Sequence, residues 1–121
     1  MPDNQVQNGI ESEKTFTITD EMGTGHTGTV VLSTPSMIGL MEGTCLESIT
    51  PYLADGEATV GIHVCVSHVA ASVSGEKVTV RSQVTEVDRR RITFAVSAHV
   101  GDRLLGEGTH KRAVIDTRRF G

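Results

Sequence analysis

The chain has no tryptophan, only three Phe and one Tyr, two cysteines and three prolines among 121 residues. With aromatics this scarce, valine, threonine and glycine carry the pattern, which favours strands and turns. No apolar run approaches the roughly 20 residues of a membrane span, so no transmembrane helix is expected. Excess positive charge is missing too: the net charge is −4, which excludes nucleic-acid binding that relies on bulk basicity. Cys45 and Cys65 match no zinc-ligand spacing and are expected to stay thiols. The opening MPDNQVQNGIESEK is too polar for a secretory signal, so a cytoplasmic location is expected. One domain over residues 13–121 fits the length, with 1–12 as a frayed, disordered tail.

What the chain does have is one helical stretch, Thr34 to Leu53. Met37, Ile38, Met41, Cys45, Ile49 and Leu53 recur at three- and four-residue spacing and form one apolar stripe. Thr34 can cap this helix with its hydroxyl, and Pro35 suits the first turn. Pro51 should weaken or kink the last turn. Gly39 and Gly43 each cost about 1 kcal/mol against alanine in a helix interior, a cost that close packing of another backbone would offset.

Around this helix the pattern is extended. Lys14–Thr19 alternates as a first strand, and Thr29–Leu32 is also extended. Between them, Gly23-Thr24-Gly25-His26-Thr27-Gly28 formally matches a dinucleotide-binding glycine pattern, but no helix opens at the glycines, so it reads as a loop. After the helix come four strands: Ala58–Ala71, Lys77–Val87, Ile92–Val100 and Leu104–Ile115. Turns at Ser74-Gly75, Asp88-Arg89-Arg90 and Gly101-Asp102 imply successive antiparallel hairpins. The expected class is α+β: one long helix covering one face of an antiparallel sheet. Sheet edges then need cover, which points to self-association, at least to a homodimer.

Three polar residues stand in apolar surroundings: Thr34, Glu42 and His68. Each has a plain structural reading: a helix cap for Thr34, a solvated helix face for Glu42, a satisfied core histidine for His68. Glu42 has no Lys or Arg at i±3 or i±4, which leaves a functional pocket open as the other reading. The remaining histidines, His26, His63, His99 and His110, are spread over separate segments, and His63 and His68 fall on opposite strand faces, so no metal site is expected. The arginines after Asp88 read as a solvated hairpin.

IGLMEGTC (Ile38–Cys45), TPYL (Thr50–Leu53), VCVSHVAAS (Val64–Ser72), FAVSAH (Phe94–His99) and GEGTHKRAVI (Gly106–Ile115) resemble, in order and spacing, the hotdog-fold acyl-CoA thioesterases. More narrowly they resemble the fluoroacetyl-CoA thioesterase branch. The resemblance implies a long helix wrapped by an antiparallel sheet, active sites at a dimer interface, and hydrolysis of short acyl-CoA thioesters. It implies a Thr/Glu/His constellation at Thr34, Glu42 and His68, with Gly61 and Arg112 near the acyl group. No cofactor or metal is implied, because coenzyme A is part of the substrate. The alternative on the same fold is a non-catalytic acyl-CoA or small-ligand binding module. In one respect the chain departs from the branch. The fluoroacetyl-specific enzyme carries a longer, aromatic-rich lid before the helix, whereas Asp20–Ser33 here is short and has no Phe, Tyr or Trp.

In mechanistic terms, a desolvated Glu42 would attack the thioester or activate water, and His68 would shuttle a proton to the departing sulfur. Free amides at the helix start are expected to polarise the carbonyl.

Overall fold

The computed structural model describes residues 4–25 and 28–119. Within the glycine loop read from the sequence, His26 and Thr27 lie outside the described residues. The class is α+β as expected: a curled antiparallel sheet with one long helix on its inner face.

The helix, α1 (Thr34–Ile49), is followed by a single 3₁₀ turn over Thr50–Tyr52. Pro51 has no amide to continue the α-helical ladder, which accounts for the tightening at that point. Met37, Met41, Cys45 and Ile49 are buried, as the stripe requires, and Thr44 joins them by donating its hydroxyl to the Leu40 carbonyl at 2.8 Å. Ile38 and Leu53 stay half-buried at the margin. The expectation for the helical glycines fails: a Cβ on either Gly39 or Gly43 would meet nothing within 4 Å. No backbone of the described residues packs there.

The sheet contains β1 (Glu11–Thr17), β4 (Glu57–His68), β5 (Lys77–Asp88), β6 (Arg91–Val100) and β7 (Arg103–Asp116) in the order β1-β5-β6-β7-β4. A small hairpin, β2 (Gly23–Thr24) with β3 (Val31–Leu32), stands apart beside the start of α1. Simple alternation holds on β5 and β6: Val78, Val80, Ser82 and Val84, then Ile92, Phe94, Val96 and Ala98, all face the helix and are buried.

β4 departs from expectation. It pairs with β7 and not with β5, so Ser74-Gly75 does not close a hairpin between neighbours. The eight residues 69–76 cross the end of the sheet instead. Val69 and Ala70 donate to the Leu105 carbonyl, Leu32 donates to Ser72, and Ser74 donates to Val30. A connection this long can carry the chain from the β4 edge past β7 and β6 to β5, which a two-residue turn cannot. The phase of β4 also changes part-way. A bulge between Gly61 and His63 inserts Ile62, so Thr59 and Gly61 face inward before it and Val64, Val66 and His68 after it. Val60 and Ile62, which simple alternation places with Val64, are 43% and 44% exposed.

The amino-terminal stretch read as a frayed tail is held down from Asn4 onward. Gln5 donates to the Tyr52 carbonyl, Gly9 donates to the Val84 carbonyl, and Val84 donates to the Ile10 carbonyl. Residues 11 and 12 already belong to β1, and Val6 and Ile10 pack on the core.

Two glycine substitutions should separate these environments. A Cβ on Gly108 would run into the Cys65 carbonyl and lie 2.6 Å from the Val66 Cα. Gly108→Ala should therefore cost about 1–3 kcal/mol. Gly39→Ala meets only open space and should gain up to about 1 kcal/mol in urea unfolding. A loss in Gly39→Ala would show that another surface packs on this helix face in solution.

Candidate active site

At the start of α1, Ser33 is the cap: its hydroxyl accepts the Ser36 amide at 3.2 Å. The capping role expected of Thr34 is thus filled one residue earlier, and Thr34 becomes the first helical residue. Its hydroxyl is free to lie 2.8 Å from His68 Nδ1. His68 reaches it because the bulge has turned the end of β4 inward. The other ring nitrogen, Nε2, is buried without a partner among the described residues. A satisfied core histidine would have both nitrogens paired, so His68 departs from its structural reading.

The expected group of amides at the helix start is reduced. Pro35 has none, Ser36 donates to Ser33 Oγ and Met37 donates to the Ser33 carbonyl. Thr34 alone keeps a first-turn amide for a carbonyl oxygen.

Two turns further along α1, Glu42 is half-buried and faces the sheet. Its Oε2 lies 2.9 Å from where a Cβ on Gly61 would sit, so only glycine leaves the carboxylate its place. His110 Cε1 and an Arg112 amino nitrogen lie 3.3 and 3.4 Å from that same point. The cation missing at i±4 on the helix is supplied by β7. Even so, no direct ion pair or hydrogen bond joins Glu42 to Arg112 or to any other described residue.

Arg112 is only 6% exposed, and its guanidinium is held by others. Nε donates to Thr59 Oγ1 at 2.9 Å, one amino group to the Thr59 carbonyl at 3.0 Å, and the second to His110 Nε2 at 3.1 Å. Burial lowers the guanidinium's pKa, with Glu42 and Cys45 opposing that shift. A guanidinium has no acceptor, so His110 Nε2 must be unprotonated and Nδ1 must carry the hydrogen donated to the His63 carbonyl at 2.8 Å. His110 is 1% exposed and stacks on Phe94 with ring centroids 6.0 Å apart. Burial pushes its pKa down, the His63 carbonyl opposes this, and Arg112 adds to it. Cys45 lies beneath the cluster, its thiol pushed up to about 12 chiefly by burial, which makes it a poor nucleophile. The described residues contain no cluster able to hold a metal.

Of the residues singled out by sequence, the structure brings together Thr34 with His68, and Glu42 with Gly61 and Arg112. It does not bring the two groups together within one chain. Thr34 and Glu42 are eight positions apart on α1, about 12 Å along the axis. His110 and Thr59 were missed. The available signal was the His-x-Arg spacing, which puts His110 and Arg112 on one face of β7.

Residues 11–118 match the family model described as fluoroacetyl-CoA-specific thioesterase. The chain belongs to that family. A fluoroacetyl-CoA thioesterase of Streptantibioticus cattleyicolor is 44% identical over 90 residues, which is 74% of this chain and 65% of that protein's length. A solved structure of the fluoroacetyl-CoA thioesterase FlK superposes with a TM-score of 0.89 at 34% identity, covering 97% of this chain and 93% of that one. A hot-dog-like protein from Thermanaerovibrio acidaminovorans, 20% identical, shares the fold with a TM-score of 0.86 over 93% of this chain and 86% of its own. The fold of this member of the thioesterase family is therefore the hotdog.

The buried, neutral His110 implies a pH dependence of stability with a definite sign. Its folded pKa lies below the ordinary 6.5, so its contribution is fully present above about pH 6.5 and is lost as pH falls below it. The urea midpoint should drop between pH 7.5 and 5.5, and His110→Phe should flatten that drop. A midpoint that rises toward pH 5.5 in the unmodified protein would contradict the assignment.

Proposed function

We propose that this protein hydrolyses short acyl-CoA thioesters to a carboxylate and free CoA, with Glu42 and His68 at the reacting atoms. The observation that carries this reading is the half-buried Glu42 carboxylate, without a partner among the described residues and opposite Gly61 and Arg112 in a chain of this family. A carboxylate facing a cation without pairing to it is available to a substrate. Glu42 either attacks the thioester carbon to give an acyl–carboxylate that water then cleaves, or takes a proton from the water that attacks. In both routes the C–S bond breaks and the sulfur leaves as thiolate. His68 Nε2 supplies the proton for that thiolate, and Thr34 holds the ring through Nδ1. Gly61 and Arg112 flank the acyl group. The Thr34 bond also weighs against a dehydratase on this fold, in which Thr34 would be incidental.

The two halves of the site meet in a homodimer. β4 is a sheet edge, and Val60, Ile62 and Val64 are exposed on it. An unpaired edge with apolar side chains favours pairing with a second copy. An antiparallel β4–β4 pair centred between Val64 and Cys65 sets Gly61 opposite the partner's His68, and so brings Glu42 to the Thr34–His68 pair of the other subunit. An acyl-CoA substrate fits the cytoplasmic location expected from the sequence, and no helix of the described residues is long and apolar enough to cross a membrane. The rival reading, a binding module without turnover, makes Glu42 a pocket wall.

Glu42→Gln keeps size and hydrogen bonding and should fold, yet turnover of acetyl-CoA should fall about 10²-fold or more; His68→Ala should also slow it strongly. Mixing the two inactive variants under subunit exchange should restore about a quarter of the unmodified activity, because half the dimers then hold one intact site of two. Near-normal turnover by folded Glu42→Gln would remove the proposed mechanism. Failure of mixing to restore activity would remove the shared site.

Selectivity should be modest. The segment before α1 is one 3₁₀ turn at Asp20–Met22 and the β2–β3 hairpin, with no aromatic side chain to close over a two-carbon acyl group. The ratio of kcat/KM for fluoroacetyl-CoA over acetyl-CoA should stay below about 10³, or about 4 kcal/mol in transition-state binding. A larger ratio would mean that selection does not depend on that segment.

A further inference from the structure

We propose that His110, which no catalytic constellation above includes, is a positioning residue that holds Arg112 away from Glu42 and so keeps the carboxylate free to react. This rests on the reading of Glu42 as the reacting carboxylate. The geometry is a relay through one imidazole ring. Nδ1–H donates to the carbonyl of His63, the residue that closes the β4 bulge behind Gly61. Nε2 accepts from the Arg112 amino group nearest the Gly61 Cβ direction. One ring therefore ties together both groups that border the Glu42 carboxylate, the backbone of Gly61 and the guanidinium of Arg112.

The consequence is electrostatic. A buried guanidinium and a half-buried carboxylate bordering the same small space attract each other strongly, and a direct pair is their default arrangement. Here that pair is absent, three of the guanidinium's five hydrogens are engaged by Thr59 and His110, and the amino group nearest Glu42 is the one turned to His110. Without the Nε2 acceptor, that amino group loses its partner and still borders the same point beside Gly61 as the Glu42 carboxylate. The pair that forms would lower the carboxylate's reactivity and occupy the space of the acyl group.

The ring can do this only as the neutral tautomer. Protonation puts a hydrogen on Nε2 facing the Arg112 hydrogens, which breaks the bond and places two cations side by side. The groups facing the ring are Arg112 on its own strand, Glu42 from α1, His63 from β4 and the Phe94 ring from β6. Among these, Glu42 alone favours the protonated ring through its charge.

The test separates the two ring nitrogens. Gln at position 110 can present an acceptor near the Nε2 position, Asn a donor near the Nδ1 position, and Phe keeps the stacking on Phe94 with neither. His110→Phe and His110→Asn should lower kcat about tenfold or more, with KM altered about threefold or less, and His110→Gln should recover most of that loss. The Gln variant should also retain a larger fraction of its maximal kcat at pH 5 than the unmodified protein does. A merely structural role predicts equal kcat for all three variants once folded, or an equal loss in Gln and Phe, and either result overturns the proposal. Should the variants fail to fold, histidine ¹⁵N NMR of the unmodified protein decides. Nδ1–H with bare Nε2 at pH 7.5 is required, and an Nε2–H or cationic ring overturns the proposal. Glu42→Gln assayed alongside keeps the two ideas apart. Inactive Glu42→Gln with fully active His110→Phe overturns this inference alone, and active Glu42→Gln overturns the reading beneath it.

Discussion

A guanidinium buried on the inner face of a sheet is the constraint around which the site is organised. Removing a cation from water is tolerable only where its hydrogens are met, and β4 and β7 meet them from both sides. Thr59 receives two of them and His110 a third. Meeting them requires β4 to lie beside β7, and requires Thr59 to face inward on the near side of the bulge. It also fixes the His110 tautomer, since only one ring nitrogen can accept. The position of β4, its bulge and the charge state of His110 are in this sense linked.

The same constraint leaves β4 at a sheet edge. Its inner-facing end carries His68 toward the start of α1, and its bulged end carries Gly61 over Glu42. Gly61 and His68 lie seven residues apart on β4, and each meets a different part of α1. Two copies related by a two-fold axis can superimpose the ends crosswise, which is why the proposed dimer completes the site and does not merely cover apolar surface.

Much of the architecture was legible because it rests on periodicity. The α1 stripe, the alternation on β5 and β6 and the α+β class all follow from which residues are apolar and at what spacing. Thr34, Glu42 and His68 also stood out as polar residues in apolar runs, and the resemblance added Gly61 and Arg112. What was misread shares one cause: it depends on contacts between segments remote in sequence. Ser33 displaces Thr34 as the cap because Thr34's hydroxyl has a better partner in His68, 34 residues away. β4 pairs with β7 because a connection of eight residues is long enough to cross the sheet, and nothing local in Ser74-Gly75 reveals that. The residues before β1 are held by Tyr52 and Val84, not by their own composition.

The inventory is readable in the chain alone: one long helix, a set of strands, thiols without a partner pattern, and a carboxylate with no cation on its own helix. Those are local properties, set by side-chain chemistry and chain spacing. Which cation faces Glu42, which histidine ring is held in one tautomer and which has an unpartnered nitrogen, and where the strand phase slips became visible in the folded chain alone. Each of these is settled by the requirement that buried polar groups find partners, and the partners lie tens of residues apart along the chain.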